Sequence, residues 1–251
     1  MKNKSSSSIG FIEMYDNMIL APEMRAMYGN SGFYNVGKWT KDPKTLAIAC
    51  QELVIAHLDQ VEKNSNPVKI LDAGCGLGSG SAIIARQFSK AGVVAINVSE
   101  KQVSTARERY AGIDFQVMDA TKMNFPSDYF DLIISVEAAF HFDTRTDFLK
   151  DAFRILRPGG QLILSDILFN NTFWVGEWSV PGANLVTDIK DYKRLYTDTG
   201  FQLMTCEDIT QSSIKGFCNY LRNDATMAAL ADGLESSVIA YLFVSLKKAD
   251  S

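Results

Sequence analysis

The hydrophobic pattern of the chain switches repeatedly between the period of a strand and that of a helix. Short apolar, β-branched runs predict strands over residues 68–71, 93–98, 115–117, 130–136 and 161–165. Helical spacing of apolar positions predicts the helices between them, over residues 79–89, 100–110 and 147–156. Such alternation is typical of βαβ units with a mostly parallel sheet, which binds ligands beyond the C-terminal ends of its strands.

The pattern resumes after an irregular, aromatic stretch over residues 167–188, which we interpret as a lid insertion. Beyond it we expect a helix over residues 189–199, a strand over 201–206, a helix over 212–230 and a strand over 237–246. Residues 65–251 are therefore predicted to form one core domain around a seven-stranded sheet.

The N-terminal part of the chain is less regular. Residues 1–10 are polar and Ser-rich, which predicts a disordered tail, and residues 11–64 are predicted to form a helical cap or lid. Within the cap, Asp42 and Pro43 predict an N-cap and the first position of a helix. Apolar residues at helical spacing extend that helix to about Val61.

Composition and charge disfavour several classes of function. The formal net charge is −4 and Lys and Arg are scattered, which disfavours a nucleic-acid partner. The cysteines lack CxxC spacing, no His/Cys cluster has the spacing of metal ligands, and no stretch approaches the roughly 18 apolar residues that span a bilayer. We therefore expect a cytoplasmic monomer or homodimer without a metal site or membrane insertion.

The strongest chemical signal follows the first core strand. The run ILDAGCGLG over residues 70–78 ends a strand in the carboxylate of Asp72 and places Gly74 and Gly76 directly after it. Glycines in such a turn let the backbone approach a ligand that a Cβ atom would exclude. An acid before the turn favours a cationic ligand, whereas a nicotinamide site uses G-x-G-x-x-G and needs no acid there.

This motif resembles motif I of the class I methyltransferases, and the resemblance continues at the spacing of that family. Asn97-Val98-Ser99, Asp119-Ala120, FDLIIS over residues 130–135 and LRPGG over residues 156–160 match its later motifs, so that roughly residues 68–166 are covered. The resemblance implies a Rossmann-like α/β fold: a mostly parallel seven-stranded sheet with helices on both faces and an N-terminal helical cap. It also implies S-adenosyl-L-methionine as the cofactor and S-adenosyl-L-homocysteine as its product.

The same resemblance implies a set of cofactor-binding residues. They are Asp72, Gly74, Cys75, Gly76, Asn97, Val98, Gln102, Asp119, Ala120, Glu137, Trp39 and Tyr34. One of them departs from the family, because most members carry Asp or Glu at the end of the second strand, where a carboxylate takes both ribose hydroxyls. Asn97 can still donate and accept but forfeits the stronger charge-assisted bond. The alternative is that Asn97 is only a turn residue.

A closer resemblance within the family suggests the catalytic residues. The runs VEAAFHF over residues 136–142 and LSDI over residues 164–167 resemble natural-product O-methyltransferases such as those acting on macrolide or rebeccamycin sugars. There a His after the fourth strand and an Asp ending the fifth flank the acceptor hydroxyl, which implies that His141 is the base and Asp166 orients it or binds the acceptor. The alternatives are a structural histidine and an Asp166 that only caps a loop.

Aromatic residues in the cap and in the insertion predict an apolar acceptor site. The candidate acceptor-binding residues are Tyr15, Tyr28, Phe140, Phe169, Trp174 and Trp178. An aromatic ring also suits a sulfonium through a cation–π contact. The alternatives are plain core packing in the cap and a dimer contact for the aromatics of the insertion.

These observations favour methyl transfer from S-adenosylmethionine to a hydroxyl of a small, largely hydrophobic, natural-product-like and possibly glycosylated metabolite. N- or C-methylation of a similar molecule is the nearest alternative, because one core serves all three reactions. A degenerate, non-catalytic scaffold is a second alternative. A nicotinamide-dependent dehydrogenase is disfavoured by Asp72 and Asn97.

Overall fold

A seven-stranded sheet with helices on both faces forms the core. The computed structural model describes residues 6–40, 45–63, 65–173, 178 and 180–250. The strands are β1 (Lys69–Ala73), β2 (Gly92–Asn97), β3 (Asp114–Val117), β4 (Phe130–Val136), β5 (Leu156–Phe169), β6 (Gln202–Asp208) and β7 (Val238–Lys247). The helices of the described residues are α1 (Ser6–Leu20), α2 (Pro22–Met27), α3 (Leu46–Asp59), α4 (Ser79–Gln87), α5 (Glu100–Arg109), α6 (Arg145–Ile155), α7 (Ile189–Asp198), α8 (Ile214–Leu221) and α9 (Ala228–Ser237).

The strand order places a crevice beside β1. The order is β3-β2-β1-β4-β5-β7-β6, and β7 alone runs antiparallel to its neighbours β5 and β6. The chain leaves β1 toward β2 on one side and reaches β4 on the other, so the topology switches direction between β1 and β4. In such sheets ligands bind at the switch point, beyond the C-terminal ends of the strands. The predicted Rossmann-like fold is confirmed.

The alternation of side chains along the central strands explains why both sheet faces are covered. Ile70 and Ile134 pack with Leu53 of α3 on one face, whereas Leu71 and Ile133 belong to the core of the other face. Successive residues of a strand point to opposite faces, so a run that is apolar throughout must be buried on both. The buried pattern of β4 and β5 meets this requirement.

The N-terminal region differs from the sequence prediction at two places. Helix α1 begins at Ser6, so the prediction of a disordered tail over residues 1–10 is wrong from that residue onward. Asp42 and Pro43 lie outside the described residues, and the N-cap of α3 is Thr45, whose side chain accepts a hydrogen bond from the backbone N–H of Ile48. Its hydroxyl therefore satisfies one of the N–H groups that a helix start leaves unpaired.

Two later predictions also need correction. Strand β5 continues to Phe169, so the first three residues assigned to the lid insertion belong to the sheet. The single helix predicted over residues 212–230 is two helices, α8 and α9, separated by a short 3-10 turn. Asp224 ends the continuity because its carboxylate accepts from the backbone N–H of Thr226, a local bond that competes with helix formation. Within the described ranges, no helix combines the length and apolarity needed to cross a bilayer.

Candidate active site

A cavity of about 610 Å³ lies at the C-terminal ends of β1, β2, β3 and β4. Helix α1 and residues 32–35 cover it on the side away from the sheet. Of the predicted site residues, thirteen line this cavity: Tyr15, Tyr34, Asp72, Gly74, Cys75, Gly76, Asn97, Val98, Gln102, Asp119, Ala120, Glu137 and His141.

The glycine turn after β1 forms the floor of the cavity. Gly74 has a positive φ of 89°, and a Cβ atom there would lie 2.4 Å from the Cβ of Ala138. Gly76 also has a positive φ, 55°, but a Cβ atom there would meet no heavy atom within 4 Å. The first glycine therefore permits close packing against the segment after β4, and the second leaves space open to the cavity.

The carboxylate of Asp72 is buried beneath this turn. Its Oδ2 accepts a hydrogen bond of 2.5 Å from the hydroxyl of Ser81. Burial raises the pKa of Asp72 to about 6, although the bond from Ser81 opposes the change. A buried carboxylate is destabilised as an anion unless a positive charge approaches it, so this position suits a cationic ligand.

A buried polar network ends β2. The Asn97 amide donates to the carboxamide oxygen of Gln102 (3.2 Å), and the Gln102 amide donates to Oδ1 of Asp16 (2.8 Å). Asp16 belongs to α1, is only 3% exposed, and also accepts from the hydroxyl of Ser99 at 2.7 Å. The cap is thereby joined to the strand end where the family usually has an acid.

The end of β3 contributes a tight turn. Oδ1 of Asp119 accepts from both the backbone N–H and the hydroxyl of Thr121, each at 2.8 Å. These bonds hold Asp119 and Ala120 against the cavity, where Val117 and Met118 add apolar surface.

Glu137 follows β4 and joins three parts of the molecule. Its carboxylate accepts from the backbone N–H of Val36 (3.0 and 3.1 Å) and from the hydroxyl of Tyr241 in β7 (2.7 Å). Burial raises its pKa to about 8, against the effect of these two donors. The residue has a positive φ of 51°, and it lines the cavity.

The raised pKa of Glu137 predicts a pH-dependent stability. Between its unfolded value, about 4.5, and about 8 the folded state binds a proton that the unfolded state has lost. The free energy of unfolding is therefore expected to fall as pH rises through this window and to level off above it. Urea unfolding from pH 5 to 9 measures this slope, and Glu137→Gln should flatten it. An equal slope in the variant would contradict the assignment.

His141 lies in a 3-10 turn, Ala139–His141, just beyond β4. Its ring centroid is 4.0 Å from that of Phe140 and 5.0 Å from that of Tyr15. A second, smaller cavity of about 40 Å³ adjoins this position. The residues that line both cavities are Tyr15, Ile19, Tyr34, Glu137 and His141.

The structure corrects the role predicted for Asp166. The side chain is fully buried and forms an ion pair with Arg145 of α6, whose Nε lies 2.6 Å from Oδ2. The hydroxyl of Tyr192 donates to the same carboxylate. Asp166 lines neither cavity, so it does not flank an acceptor there.

The Arg145–Asp166 pair instead supports the turn that carries His141. The guanidinium of Arg145 donates to the backbone oxygen of Asn184, and the side chain of Asn184 accepts from the backbone N–H of Arg145. The Asn184 amide then donates to the backbone oxygens of Phe140 and Phe142, on either side of the histidine.

The other aromatic candidates fall into three groups. Tyr28, Phe140 and Trp178 line the smaller cavity, whereas Trp174 lies outside the described residues. Phe169 is a core residue that packs edge-on against Phe140 and Trp178, so its predicted contact with the acceptor is not supported.

Trp39 is also misassigned as a cofactor ligand. Its indole N–H donates to the backbone oxygen of Val36 at 2.8 Å, and its ring packs on Tyr220 of α8. A Cβ atom on Gly216 would lie 2.4 Å from that ring. The side chain therefore fastens the end of the cap to α8, away from both cavities.

Several cavity residues escaped the sequence analysis. Ile19 comes from a segment whose apolar pattern has no clear period, and Lys122 follows the β3 motif in a polar stretch. Asp16, from the same segment as Ile19, lines neither cavity but is bonded to the cavity residue Gln102. One signal could have pointed to Asp16. Asn97 stands where most family members have an acid, so a carboxylate from another part of the chain could be expected near it. Among the described residues, no cluster of His, Cys, Asp and Glu could hold a metal ion.

Comparison with known proteins supports the resemblance drawn from the sequence. A family profile described as a methyltransferase domain matches residues 71–164, the part of the chain that builds the cavity floor. The predicted resemblance to the class I S-adenosylmethionine-dependent methyltransferases is confirmed over this segment. A protein named O-methyltransferase from Pyrenophora dematioidea is 28% identical and covers 80% of this chain and 83% of its own length.

Other relatives carry different acceptor chemistries in their names. Phosphoethanolamine N-methyltransferase 1 of Arabidopsis thaliana is 32% identical over 57% of this chain and 30% of its own length. A geranyl diphosphate C-methyltransferase structure from Streptomyces coelicolor A3(2), with S-adenosyl-L-homocysteine bound, aligns with a TM-score of 0.80. At 14% identity, over 98% of this chain and 99% of that one, this likeness shows the shared fold. The names of the sequence relatives therefore include both O- and N-methyltransferases.

Proposed function

We propose that the protein transfers a methyl group from S-adenosylmethionine to a hydroxyl of a small, largely hydrophobic metabolite. The observation that carries this proposal is the position of His141, which lines both the large cavity and the smaller one beside it. A base at the junction of a cofactor site and an acceptor site is where proton removal is needed.

The residues of the large cavity fit the parts of the cofactor. The buried carboxylate of Asp72 and the open space at Gly76 suit its cationic amino-acid end. Asn97 and Gln102 present polar groups for the ribose, and Asp119 with Ala120 would meet the adenine. When bound, the cofactor supplies an activated sulfonium methyl group.

The protein's own part in the reaction is alignment and proton removal. Holding an acceptor oxygen in line with the methyl group contributes about 7–11 kcal/mol in favourable cases, and a base contributes about 10²–10⁴-fold. The rings of Tyr15 and Phe140 both contact the His141 ring and limit where that ring can lie. His141 takes the hydroxyl proton as the oxygen attacks.

The acceptor site should favour apolar molecules. The smaller cavity, whose volume of about 40 Å³ can receive only one end of an acceptor, is lined mainly by apolar and aromatic side chains: Tyr15, Met18, Ile19, Met24, Tyr28, Tyr34, Val36, Phe140 and Trp178. Such a lining excludes water and gains free energy from apolar surface, as small-molecule sites generally do.

Methylation of an amine is the second candidate, because Glu137 places a carboxyl group between the two cavities. An ammonium group could pair with that carboxylate before losing its proton. An already neutral amine would not need His141 as a base, so the dependence on this residue separates the two reactions.

A screen with product mass as the readout tests the proposal. Purified protein and S-adenosylmethionine are incubated with hydroxylated and amino metabolites, and a gain of one methyl group identifies the acceptor and the atom methylated. Calorimetry with S-adenosylhomocysteine is run in parallel. Absence of binding at millimolar ligand would favour a non-catalytic scaffold.

The cavity assignment predicts the effect of Gly76→Val. The added side chain would enter the cavity, so affinity for S-adenosylhomocysteine should fall at least about tenfold, or roughly 1.4 kcal/mol. Gly112→Val is the matched control, since Gly112 also has a positive φ, 83°, and open space at its Cβ, but lies outside the cavity. Equal affinities in the two variants would overturn the assignment.

A further inference from the structure

The end of β2 lacks the acid that the family usually has, and a carboxylate from another element lies close to it. Asp16 of α1 is 3% exposed and is bonded to Ser99 and Gln102, next to Asn97. A buried carboxylate is costly unless its oxygens are hydrogen-bonded. Asp16 meets this condition through Ser99 and Gln102, and it thereby connects the cap to the part of the cavity proposed for the ribose.

We propose that Asp16 is a positioning residue that fixes the orientation of the Asn97 and Gln102 amides, so that they bind the ribose diol with one donor and one acceptor. This inference rests on the proposed cofactor site. It assigns to three residues, from α1, β2 and α5, the task that one carboxylate performs elsewhere in the family.

The donor and acceptor roles of the two side-chain amides follow from the chemistry of their partners as well as from the geometry. An ionised carboxylate only accepts, so Gln102 must turn its NH₂ group toward Asp16 and its oxygen toward Asn97. Asn97 must then present its NH₂ group to that oxygen. At the other end the backbone N–H of Ser99 only donates, and it contacts Oδ1 of Asn97 at 2.9 Å. The Asp16 carboxylate at one end and the Ser99 N–H at the other therefore require the same orientation of the Asn97 and Gln102 amides.

Ser99 fixes the network a second time. Its hydroxyl accepts from the backbone N–H of Gln102 (3.1 Å), as the N-cap of α5, and donates to Asp16 (2.7 Å). The hydroxyl therefore cannot turn its proton elsewhere without losing the bond to the carboxylate. In this way Asp16 connects α1 to the first turn of α5 as well as to the cavity wall.

The network leaves a defined pattern for a ligand. Asn97 has two N–H groups and Gln102 has two lone pairs on its oxygen, and each uses one of the two in their mutual bond. Both residues line the cavity. A diol meeting this pair would accept from Asn97 with one hydroxyl and donate to Gln102 with the other, whereas a carboxylate would accept from both.

The inference predicts that restoring the usual acid is harmful. In Asn97→Asp the new carboxylate faces the oxygen of Gln102, and one NH₂ group cannot satisfy carboxylates on both sides. Affinity for S-adenosylhomocysteine should fall at least about tenfold. If the network had no positioning role, the same substitution should leave affinity unchanged or raise it.

A second substitution should rescue the first. Asp16→Asn alone keeps an oxygen for Gln102 and Ser99 but no longer fixes the orientation of Gln102, so affinity should fall, though by less than in Asn97→Asp. In Asp16→Asn/Asn97→Asp the amide at position 16 can donate to Gln102, whose NH₂ group then turns toward the new carboxylate. Affinity should therefore return to within about threefold of the wild type. The double variant still has one carboxylate in the network, now at position 97 and not at position 16.

Calorimetric titration of the full chain with S-adenosylhomocysteine measures this cycle. Asn223→Asp adds the same charge at an exposed site outside the cavity and is the matched control, alone and with Asp16→Asn. Far-UV circular dichroism and the thermal midpoint show whether each variant is folded. Loss of affinity in Asn97→Asp with recovery in the double variant supports the inference. Tighter binding by Asn97→Asp, or failure of the rescue in folded protein, overturns it, and a wild type that does not bind overturns the proposed function as well.

Discussion

Replacing Asp166 with alanine is expected to lower the free energy of unfolding by about 3–5 kcal/mol, the usual cost of removing one partner of a buried ion pair. The substitution leaves the guanidinium of Arg145, 3% exposed, without its carboxylate in the interior. It also removes the acceptor of the Tyr192 hydroxyl. Urea unfolding followed by circular dichroism measures the loss.

An exposed pair of the same type provides the control. Asp191 and Arg194 lie 2.7 Å apart with side chains 63% and 69% exposed, and Asp191→Ala should cost less than about 1 kcal/mol. A different outcome would contradict this assignment. If Asp166→Ala keeps its stability but loses most of its turnover, Asp166 has the catalytic role that the sequence suggested.

Replacing both partners distinguishes the ion pair from its surroundings. In Arg145→Met/Asp166→Leu no charge is left buried, so the loss of stability should be smaller than that of Asp166→Ala. Arg145 also bonds the backbone oxygens of Asn184 and Ile167, so some loss should remain. The loss of stability that remains in the double variant measures the contribution of these backbone hydrogen bonds from the guanidinium.

The error about Asp166 shows where sequence reasoning stops. Ser165 and Asp166 are adjacent within β5, and alternation sends their side chains to opposite faces of the sheet. Ser165 accepts from the backbone N–H of Glu137 and from the hydroxyl of Tyr241 on one face, whereas Asp166 meets Arg145 on the other. The motif predicted the correct strand, but the face to which Asp166 points decided its role. Its partner Arg145 lies 21 residues away in the chain, which a local motif does not reveal.

The strand ends themselves were predictable because their signals are local. Asp72 and the glycines that follow it form a motif that can be recognised from neighbouring residues alone. Because the sheet is parallel here, Asn97, Asp119 and Glu137 then lie at the same edge of the sheet as this motif. The cap contains no comparable signal. The role of Asp16 becomes visible only in the folded structure, where α1 lies over the end of β2. There Asp16 contacts Ser99, which is 83 residues away in the chain.

His141→Ala is expected to lower turnover about 10²–10⁴-fold while affinity for S-adenosylhomocysteine stays within about threefold of the wild type. The physical reason is that the imidazole takes the acceptor proton as the oxygen attacks, whereas the groups that fit the cofactor lie on β1, β2 and β3. Steady-state kinetics with the acceptor found by the screen measure kcat, and calorimetry measures the affinity.

Two further observations separate a base from a packing residue. Added imidazole should restore part of the activity of His141→Ala, because the space left beside Tyr15 and Phe140 can receive a small base. His141→Phe fills the same space without a base, and it should be as slow as the alanine variant and unresponsive to imidazole. Wild-type turnover in His141→Phe would show that the ring only packs, and the reaction would then be sought among acceptors that need no base, amines foremost, beside the carboxyl group of Glu137.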